Sequence, residues 1–262
     1  MKARLLFTTF LLTLCYSPLF AQDKLTGIIS YEQVVDYGIE PNGNPRRDAM
    51  IADLPKMGKA YHTLTFNEKY ARYEEDMDLK EPIDPDLEKM LAFMRFRKLP
   101  EEEVIQVFYD FEKDQRTEVL EFMTRSFILN HPITSSNWKI SGGKKQVGEF
   151  VCFEAKLASD ENIIAWFSPE LPLPAGPGQY SGLPGIILAI EQNNEIVLMA
   201  TEIILEDHHV AFEEPKDGKR VTDEEFSLIK EEKTAEFIEQ REQRRQQRGQ
   251  QGRPPQGGRK AN

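Results

Sequence analysis

The sequence has few cysteines and none of the familiar catalytic signatures. Its 262 residues include two cysteines, Cys15 and Cys152, which are too few for a disulfide-stapled scaffold. It contains no Gly-x-Ser-x-Gly, no His-Glu-x-x-His, no phosphate-binding loop and no Cys-x-x-Cys. The sequence therefore gives no evidence for the common hydrolase, metalloprotease, nucleotide-binding or redox sites. We therefore expect no catalytic residue and no cofactor, and favour a non-enzymatic protein.

The chain also lacks an apolar run of the roughly 20 residues that a membrane-spanning helix needs. Its apolar stretch at residues 5–14 is shorter and follows Lys2 and Arg4. This pattern predicts a secretory signal peptide at 1–21, cut after Ala21. A lipoprotein signal using Cys15 is the alternative, although Leu14 is larger than the residue that such a signal requires. Both interpretations predict that the protein is exported to the periplasm, the outer membrane or the medium.

Charge is unevenly distributed along the chain. The net charge of −11 combines 33 basic and 44 acidic side chains. Removing the signal takes away two basic residues, and the segment 241–262 holds seven basic residues and one acid. The body at 22–240 is therefore near −19 and is not expected to bind nucleic acid. The Gln/Arg/Gly/Pro-rich tail at 241–262 predicts disorder. This tail either is a solvated segment without a specific role, or it contacts a membrane surface or a partner.

The body at 22–240 is predicted to form a single β-rich domain. Residues 38–60 look like a loop, and Gln192-Asn193-Asn194 is a strong hairpin turn because Asn tolerates positive φ. Short turns between successive strands indicate antiparallel pairing. The predicted strands lie at about 25–35, 60–73 (a pair), 104–111, 118–123, 126–129, 147–157, 162–167, 186–191 and 195–205.

Two helices interrupt the predicted strands. The first begins at Asp84-Pro85 and carries apolar residues at i, i+3, i+4 and i+7: Leu87, Met90, Leu91 and Met94. This stripe is expected to pack on the sheet, with a binding surface as the alternative. The second runs over 222–247 and starts with a capping box, Thr222 and Glu225. The fold class predicted is mainly β (α+β), with one inserted helix and a C-terminal helix.

The most specific pattern lies at 165–191. It reads Ala-Trp-Phe-Ser-Pro at 165–169, Leu-Pro-Leu-Pro at 171–174, Gly-Pro at 176–177 and Tyr-Ser-Gly-Leu-Pro-Gly-Ile-Ile-Leu at 180–188. This resembles the GLPGLI family of secreted Bacteroidota proteins, with Ile186-Ile187 where the family usually has Leu-Ile. Segments 27–32, 138–140, 148–152 and 219–226 agree with it. The resemblance implies a curved antiparallel sheet or open half-barrel, but no established activity.

The motif Gly182-Leu183-Pro184-Gly185 also has a direct physical reading. Pro184-Gly185 suits the centre of a type II turn, with Gly185 at positive φ. The prolines at 172, 174 and 177 remove amide donors and keep the preceding run extended, outside the sheet. The segment is then either a structural strap across one end of the sheet or a rigid rim for a ligand. The contact residues for a ligand or partner would be Trp166, Tyr180, Leu183 and Trp138.

The remaining reactive side chains predict no metal site. Cys152 lies within a strand, where a lone cysteine is usually a buried small hydrophobe. In the segment 206–209, Glu206 and His208 would share one strand face, but adjacent histidines point to opposite sides. We expect a protein that binds a hydrophobic ligand, lipid-linked cargo or an envelope protein. The alternatives are an outer-membrane scaffold that uses the C-terminal helix and basic tail, and a hydrolase with an unrecognised site.

Overall fold

The computed structural model describes residues 25–80, 82–135, 137–206 and 210–251. The expected signal peptide, His208, His209 and the last eleven residues of the tail lie outside this part. None of the described helices is long and apolar enough to cross a membrane.

Twelve strands, three α-helices and a 3₁₀ turn make up the described chain. The strands are β1 (Gly27–Asp36), β2 (Met57–Phe66), β3 (Tyr70–Glu75), β4 (Glu103–Asp110), β5 (Gln115–Phe122), β6 (Arg125–Pro132), β7 (Trp138–Val147), β8 (Phe150–Leu157), β9 (Asp160–Ser168), β10 (Ile186–Gln192), β11 (Glu195–Ile204) and β12 (Lys219–Arg220). The helices are α1 (Pro45–Ile51), α2 (Pro85–Arg97) and α3 (Asp223–Gln251), and the 3₁₀ turn is Ile133–Ser135.

All strands belong to one open sheet in the order β12-β6-β5-β4-β3-β2-β1-β11-β10-β9-β8-β7. Neighbours pair antiparallel, except that the short β12 runs parallel to β6. The mainly β fold with a C-terminal helix is thereby confirmed. The turn at Asn193-Asn194 also has the expected positive φ values, 53° and 66°.

The sheet is strongly curved. Residues 169–185, here called the strap, connect β9 to β10 and lie against the sheet face that carries the main core, here called the inner face. Ser181 of the strap accepts a hydrogen bond from Arg116 on β5 at its Oγ (2.8 Å) and one from Trp138 on β7 at its carbonyl (2.8 Å). In a flat sheet these strands, nine steps apart in the order, would be separated by about 43 Å. One residue bridges them because the sheet curls around the strap.

Helix α1 corrects the prediction of a loop over 38–60 and of a single inserted helix. Asn44 caps it by accepting from the amides of Arg46 and Arg47, and Pro45 occupies the first helical position. Proline there costs nothing because that amide has no partner in a helix. The Gly, Pro and Asn residues of this segment are typical of loops, but Asn44 and Pro45 among them begin a helix.

Helix α2 begins where predicted, with Asp84 capping the amides of Asp86 and Leu87. Its stripe is apolar as expected, but it does not pack on the sheet. Leu87 and Met90 are buried in a separate small cluster with Ile39 and Ile51. The segment after β1 covers the inner end of the stripe, so the prediction of direct packing on the sheet is wrong.

Helix α3 is longer than predicted. Its capping box forms, with Thr222 N donating to Glu225 Oε2 (3.0 Å) and Glu225 N donating to Thr222 Oγ1 (3.2 Å). The helix continues to Gln251, four residues beyond the predicted end at 247, so it extends into the tail for which the sequence predicts disorder. Gln, Glu and Arg are good helix formers, and Gln243 reaches back to Glu239 (3.1 Å), which extends the helix through charged sequence.

Candidate functional site

The strap fills most of the inner face. Leu171, Leu173, Ala175 and Leu183 are buried in the main core. Its backbone is tied internally and to the start of β10 through three bonds: Gly182 N to Pro174 O (3.1 Å), Ile186 N to Leu171 O (2.9 Å) and Ile187 N to Ala175 O (3.1 Å). This part of the sheet is a packed core rather than an open pocket.

Two buried tyrosines anchor this region from the sheet. The Tyr31 hydroxyl donates to Ile187 O (2.7 Å) and the Tyr109 hydroxyl donates to Gly176 O (2.9 Å). Burial raises the pKa of both phenols well above its ordinary value, since desolvation penalises the charged phenolate. Both groups therefore remain protonated donors.

The glycines of the motif work differently from the prediction. Gly182, not Gly185, has positive φ (87°), and a Cβ on it would lie 2.9 Å from Ile133 O. The Gly185 amide donates to Leu183 O (2.8 Å), so Leu183, Pro184 and Gly185 form a tight three-residue turn. A type II turn would require the Ile186 amide to donate to Leu183 O, but this amide donates to Leu171 O instead. The predicted type II turn is therefore wrong. Gly185 is required because a Cβ would collide with the backbone of Ser168.

The predicted contact residues do not form one surface. Leu183 (2 % exposed) and Trp166 (7 %) are core residues, so neither presents an open face to a ligand. Trp138 and Tyr180 are half-buried, with ring centroids 6.2 Å apart. They form part of the contact between β7 and the strap.

A polar cavity of about 790 Å³ lies between the two ends of the sheet and the start of α3. Its wall holds the buried ion pair of Arg116 with Glu118 (2.7 Å). His131 lies 3.7 Å from a Glu118 oxygen and 3.6 Å from an Asp223 oxygen. Arg116 also donates to Gln179 O (2.6 Å) in the strap. The charges in this cavity compensate one another, and they tie the strap and α3 to β5 and β6.

A second cavity, here called the groove, has a volume of about 1090 Å³. It lies at the end of the sheet where β1 ends and β2 and β4 begin. Residues of both sheet faces line it, since the neighbours Val35 and Asp36 both do and strand side chains alternate. The opposite walls come from α2 and α3, through Leu87, Leu91, Met94 and Phe237, and from the strand ends at Glu103 and Met123. Large apolar side chains are half exposed at its mouth: Met57 (50 %), Ile83 (42 %), Leu99 (50 %) and Met123 (39 %).

The turn that carries Met123 is strained. Met123 and Thr124 both have positive φ (49° and 65°), which is unfavourable for a side chain such as Thr that branches at Cβ. The hairpin at Asn193-Asn194 reaches the same backbone geometry with residues that tolerate it. Strain of this kind is often retained where a side chain must be held in a particular place. Here the two positive φ values belong to the two-residue loop between β5 and β6, which places Met123 in the groove wall.

Two isolated reactive side chains, Cys152 and His62, lie at buried or half-buried positions. No cluster of three His, Cys, Asp or Glu residues in the described part of the chain suits a metal ion. Cys152 is fully buried, and burial raises its thiol pKa to about 11. His62 stacks on Tyr73 (5.1 Å) and its Nε2 lies 2.9 Å from Gln33 Oε1. Burial lowers its pKa, although Glu75 acts in the opposite direction.

Comparison with known proteins gives a partial family match. A family model described as "Protein of unknown function (Porph_ging)" matches residues 155–189, which run from β8 through β9 and the strap into β10. No curated protein matches the chain. Two solved structures titled as PNGF-II in the C2 and P21 space groups align over 79 % and 78 % of this chain, with TM-scores of 0.49 and 0.47 and 11 % and 13 % identity. The aligned region spans about a third of those chains, 32 % and 33 %.

Sequence reasoning found the strap and missed both cavities. The polar cavity had a signal in the sequence, because Arg116 and Glu118 alternate with Thr117 and Val119 along β5, although the predicted strand began only at Glu118. Charged residues at inward positions indicate a buried ion pair. The groove had no such signal, since its lining comes from five separate regions of the chain: 35–37, 55–61, 75–103, 121–124 and Phe237.

Proposed function

We propose that this is an exported, non-enzymatic binding protein of the GLPGLI type that holds a hydrophobic ligand in the groove. The groove itself carries the proposal. Its volume of about 1090 Å³ lies just above the range of about 300–1,000 Å³ that is usual for small-ligand sites, and its walls are mostly apolar. Export is proposed from the apolar N-terminal stretch, and the family type from the motif in the strap.

The position of the groove favours it over the strap region as the binding site. The strap buries most of the inner face with its own side chains, so a ligand there would have to displace packed core. At the groove, four large apolar side chains remain 39–50 % exposed. A ligand that covers them gains hydrophobic free energy of about 25 cal/mol per Å² of apolar surface buried.

The helical wall has the chemistry of an adaptable apolar surface. Leu91 and Met94 lie on the outer part of the α2 stripe, beyond the buried Leu87 and Met90. Thioethers and unbranched chains repack easily around ligands of different shape. The stripe therefore serves two purposes: one side closes the cluster with α1, and the other lines the groove.

The test compares two identical substitutions. Leu91→Gln places an amide in the groove wall, whereas Leu228→Gln changes an exposed leucine (65 %) on α3 that does not line the groove. Binding of decanol is measured by calorimetry, with thermal unfolding to verify folding. We expect Leu91→Gln to weaken binding at least about 10-fold, since a buried Leu side chain contributes about 1.5–3 kcal/mol. Equal affinities for the two variants and the parent protein would contradict the proposal.

A second candidate function is that of an outer-membrane scaffold, favoured by the length of α3. The helix continues to Gln251, and its arginines at 241, 244 and 245 follow the i, i+3, i+4 spacing of one helix face. Such a stripe suits an anionic partner or membrane surface. Deleting residues 241–262 should then abolish co-purification with envelope components, and unchanged recovery would refute this role.

A further inference from the structure

We propose that the ligand of the groove is a cationic amphiphile, with an apolar chain against α2 and an amine group at the β4–β5 end. This inference rests on the proposed function, because it specifies the ligand of the same groove. It follows from the charges that line the cavity and from the way they are paired.

Among the described side chains, acidic groups outnumber basic ones around the groove. Seven described carboxylates and three described lysines line it: Asp36, Glu75, Asp84, Glu101, Glu102, Glu103 and Glu121 against Lys59, Lys80 and Lys98. An apolar cavity with such a rim attracts cations and repels anions, and its low-dielectric walls strengthen the effect.

The lysines do not neutralise the acids at the β4–β5 end. Lys80 pairs with Glu75 (3.1 Å) and Lys59 pairs with Glu32 (2.9 Å). The Lys98 ammonium lies near Gly38, where an added Cβ would be 3.9 Å from it. All three cations therefore lie toward the strand segments before β4 or near the loop after β1.

Two carboxylates face each other at that end without a cation. Glu103 and Glu121 are direct cross-strand partners in the β4–β5 register, where like charges are unfavourable. Among the described side chains, neither is paired with a basic group, whereas the neighbouring Glu102 is paired with Lys230 (2.6 Å). A bound ammonium between Glu103 and Glu121 would relieve this repulsion.

An apolar contact adjoins the acidic pair. Met123 lies two residues after Glu121, in the strained turn, and Phe237 of α3 lines the same cavity. Farther along the groove lie Leu87 and Leu91 of α2. The apolar wall and the acidic rim of the groove thus lie side by side. A ligand with an amine group on a hydrocarbon chain can therefore contact the rim with its amine and the wall with its chain.

Three probes of equal chain length test the inference: decylamine, decanol and decanoic acid, titrated into the full protein at pH 7.5 and low salt. We expect decylamine to bind at least about 10-fold more tightly than decanoate, with decanol between them. Exchanging Glu103→Gln and Glu121→Gln together should remove most of this preference and bring the affinity for decylamine close to that for decanol. Raising the salt to 1 M, where the Debye length is about 3 Å, should also reduce it.

A matched control separates a local effect from the acidity of the whole body. Glu195→Gln and Glu202→Gln change two exposed glutamates of β11 outside the groove and alter the net charge equally. We expect this pair to retain the preference for decylamine. Loss of preference in both pairs, or equal binding of decylamine and decanoate to the parent, would overturn the inference while leaving the groove as a binding site. If none of the probes binds, the proposed function itself fails.

Discussion

The substitution Ser181→Ala tests how much stability the Ser181 hydroxyl provides by tying the strap to the β5–β6 end of the sheet. Ser181 is fully buried. Its hydroxyl donates to Ile133 O (2.9 Å) and accepts from Arg116 Nη1 (2.8 Å). Alanine removes both bonds and leaves the Ile133 carbonyl without this donor. Losing a partner of a buried polar group costs about 1–3 kcal/mol, so we expect a destabilisation of about 2–3 kcal/mol.

The assay is urea unfolding followed by circular dichroism, supported by a thermal scan. For a domain of this size the expected loss corresponds to roughly 4–12 °C in Tm. Ser141→Ala is the matched control, because its hydroxyl also donates to a backbone carbonyl, that of Glu154 (3.3 Å), but lies at a half-buried position on β7. The control should lose less than about 1 kcal/mol.

The result for Ser181→Ala can refute the reasoning directly. A loss below about 0.5 kcal/mol, or one equal to that of Ser141→Ala, would show that the hydroxyl does not hold the strap to the β5–β6 end of the sheet. A large loss with an unchanged urea slope would support the account, since the slope follows the surface exposed on unfolding.

Four further outcomes follow from the structure. Thr124→Gly should stabilise the protein by about 0.5–1 kcal/mol in urea unfolding, because relief of left-handed strain exceeds the entropy cost of glycine; a loss of stability would contradict the strain. Arg116→Met should cost about 3–5 kcal/mol by leaving Glu118 buried and unpaired, and adding Glu118→Leu should recover much of this loss; no recovery would argue against the buried ion pair. Cys152 should react with a thiol reagent at pH 8 only after unfolding, given a pKa raised to about 11; rapid native reaction would disprove its burial. Because burial lowers the pKa of His62, its contribution to stability is present above about pH 6.5 and is lost as the pH falls, so His62→Gln should flatten that acid limb; an unchanged acid limb would exclude this role.

Local signals in the sequence predicted much of the sheet. Alternating residues located most strands, and the capping box of Thr222 and Glu225 and the cap at Asp84 located two helix starts. Strand β7 was predicted only from the family resemblance, because polar and apolar residues do not alternate along its Lys- and Gly-rich sequence. The twelve strands in one sheet, against about ten expected, include the two-residue β12, which is too short to leave a pattern.

Long-range geometry explains what could not be predicted. Ser181 meets Arg116 and Trp138 only after the sheet has curled, so no local pattern marks it as the bridging residue. The opposite conformations of Gly182 and Gly185 likewise depend on Ile133 and on Ser168, which touch them from other segments. The groove depends on where α2 lies after α1 has covered part of its stripe.

The most direct test of the central claim is to locate a bound amphiphile on the protein. A decylamine derivative with a nitroxide label near the end of its chain is added to isotopically labelled protein, and amide signals are monitored by NMR. We predict selective broadening of the groove amides, including those of Leu91, Gly58 and Met123, with little effect at Tyr180 and Trp138. Broadening centred on the strap and β7, or uniform over the sheet, would contradict the account.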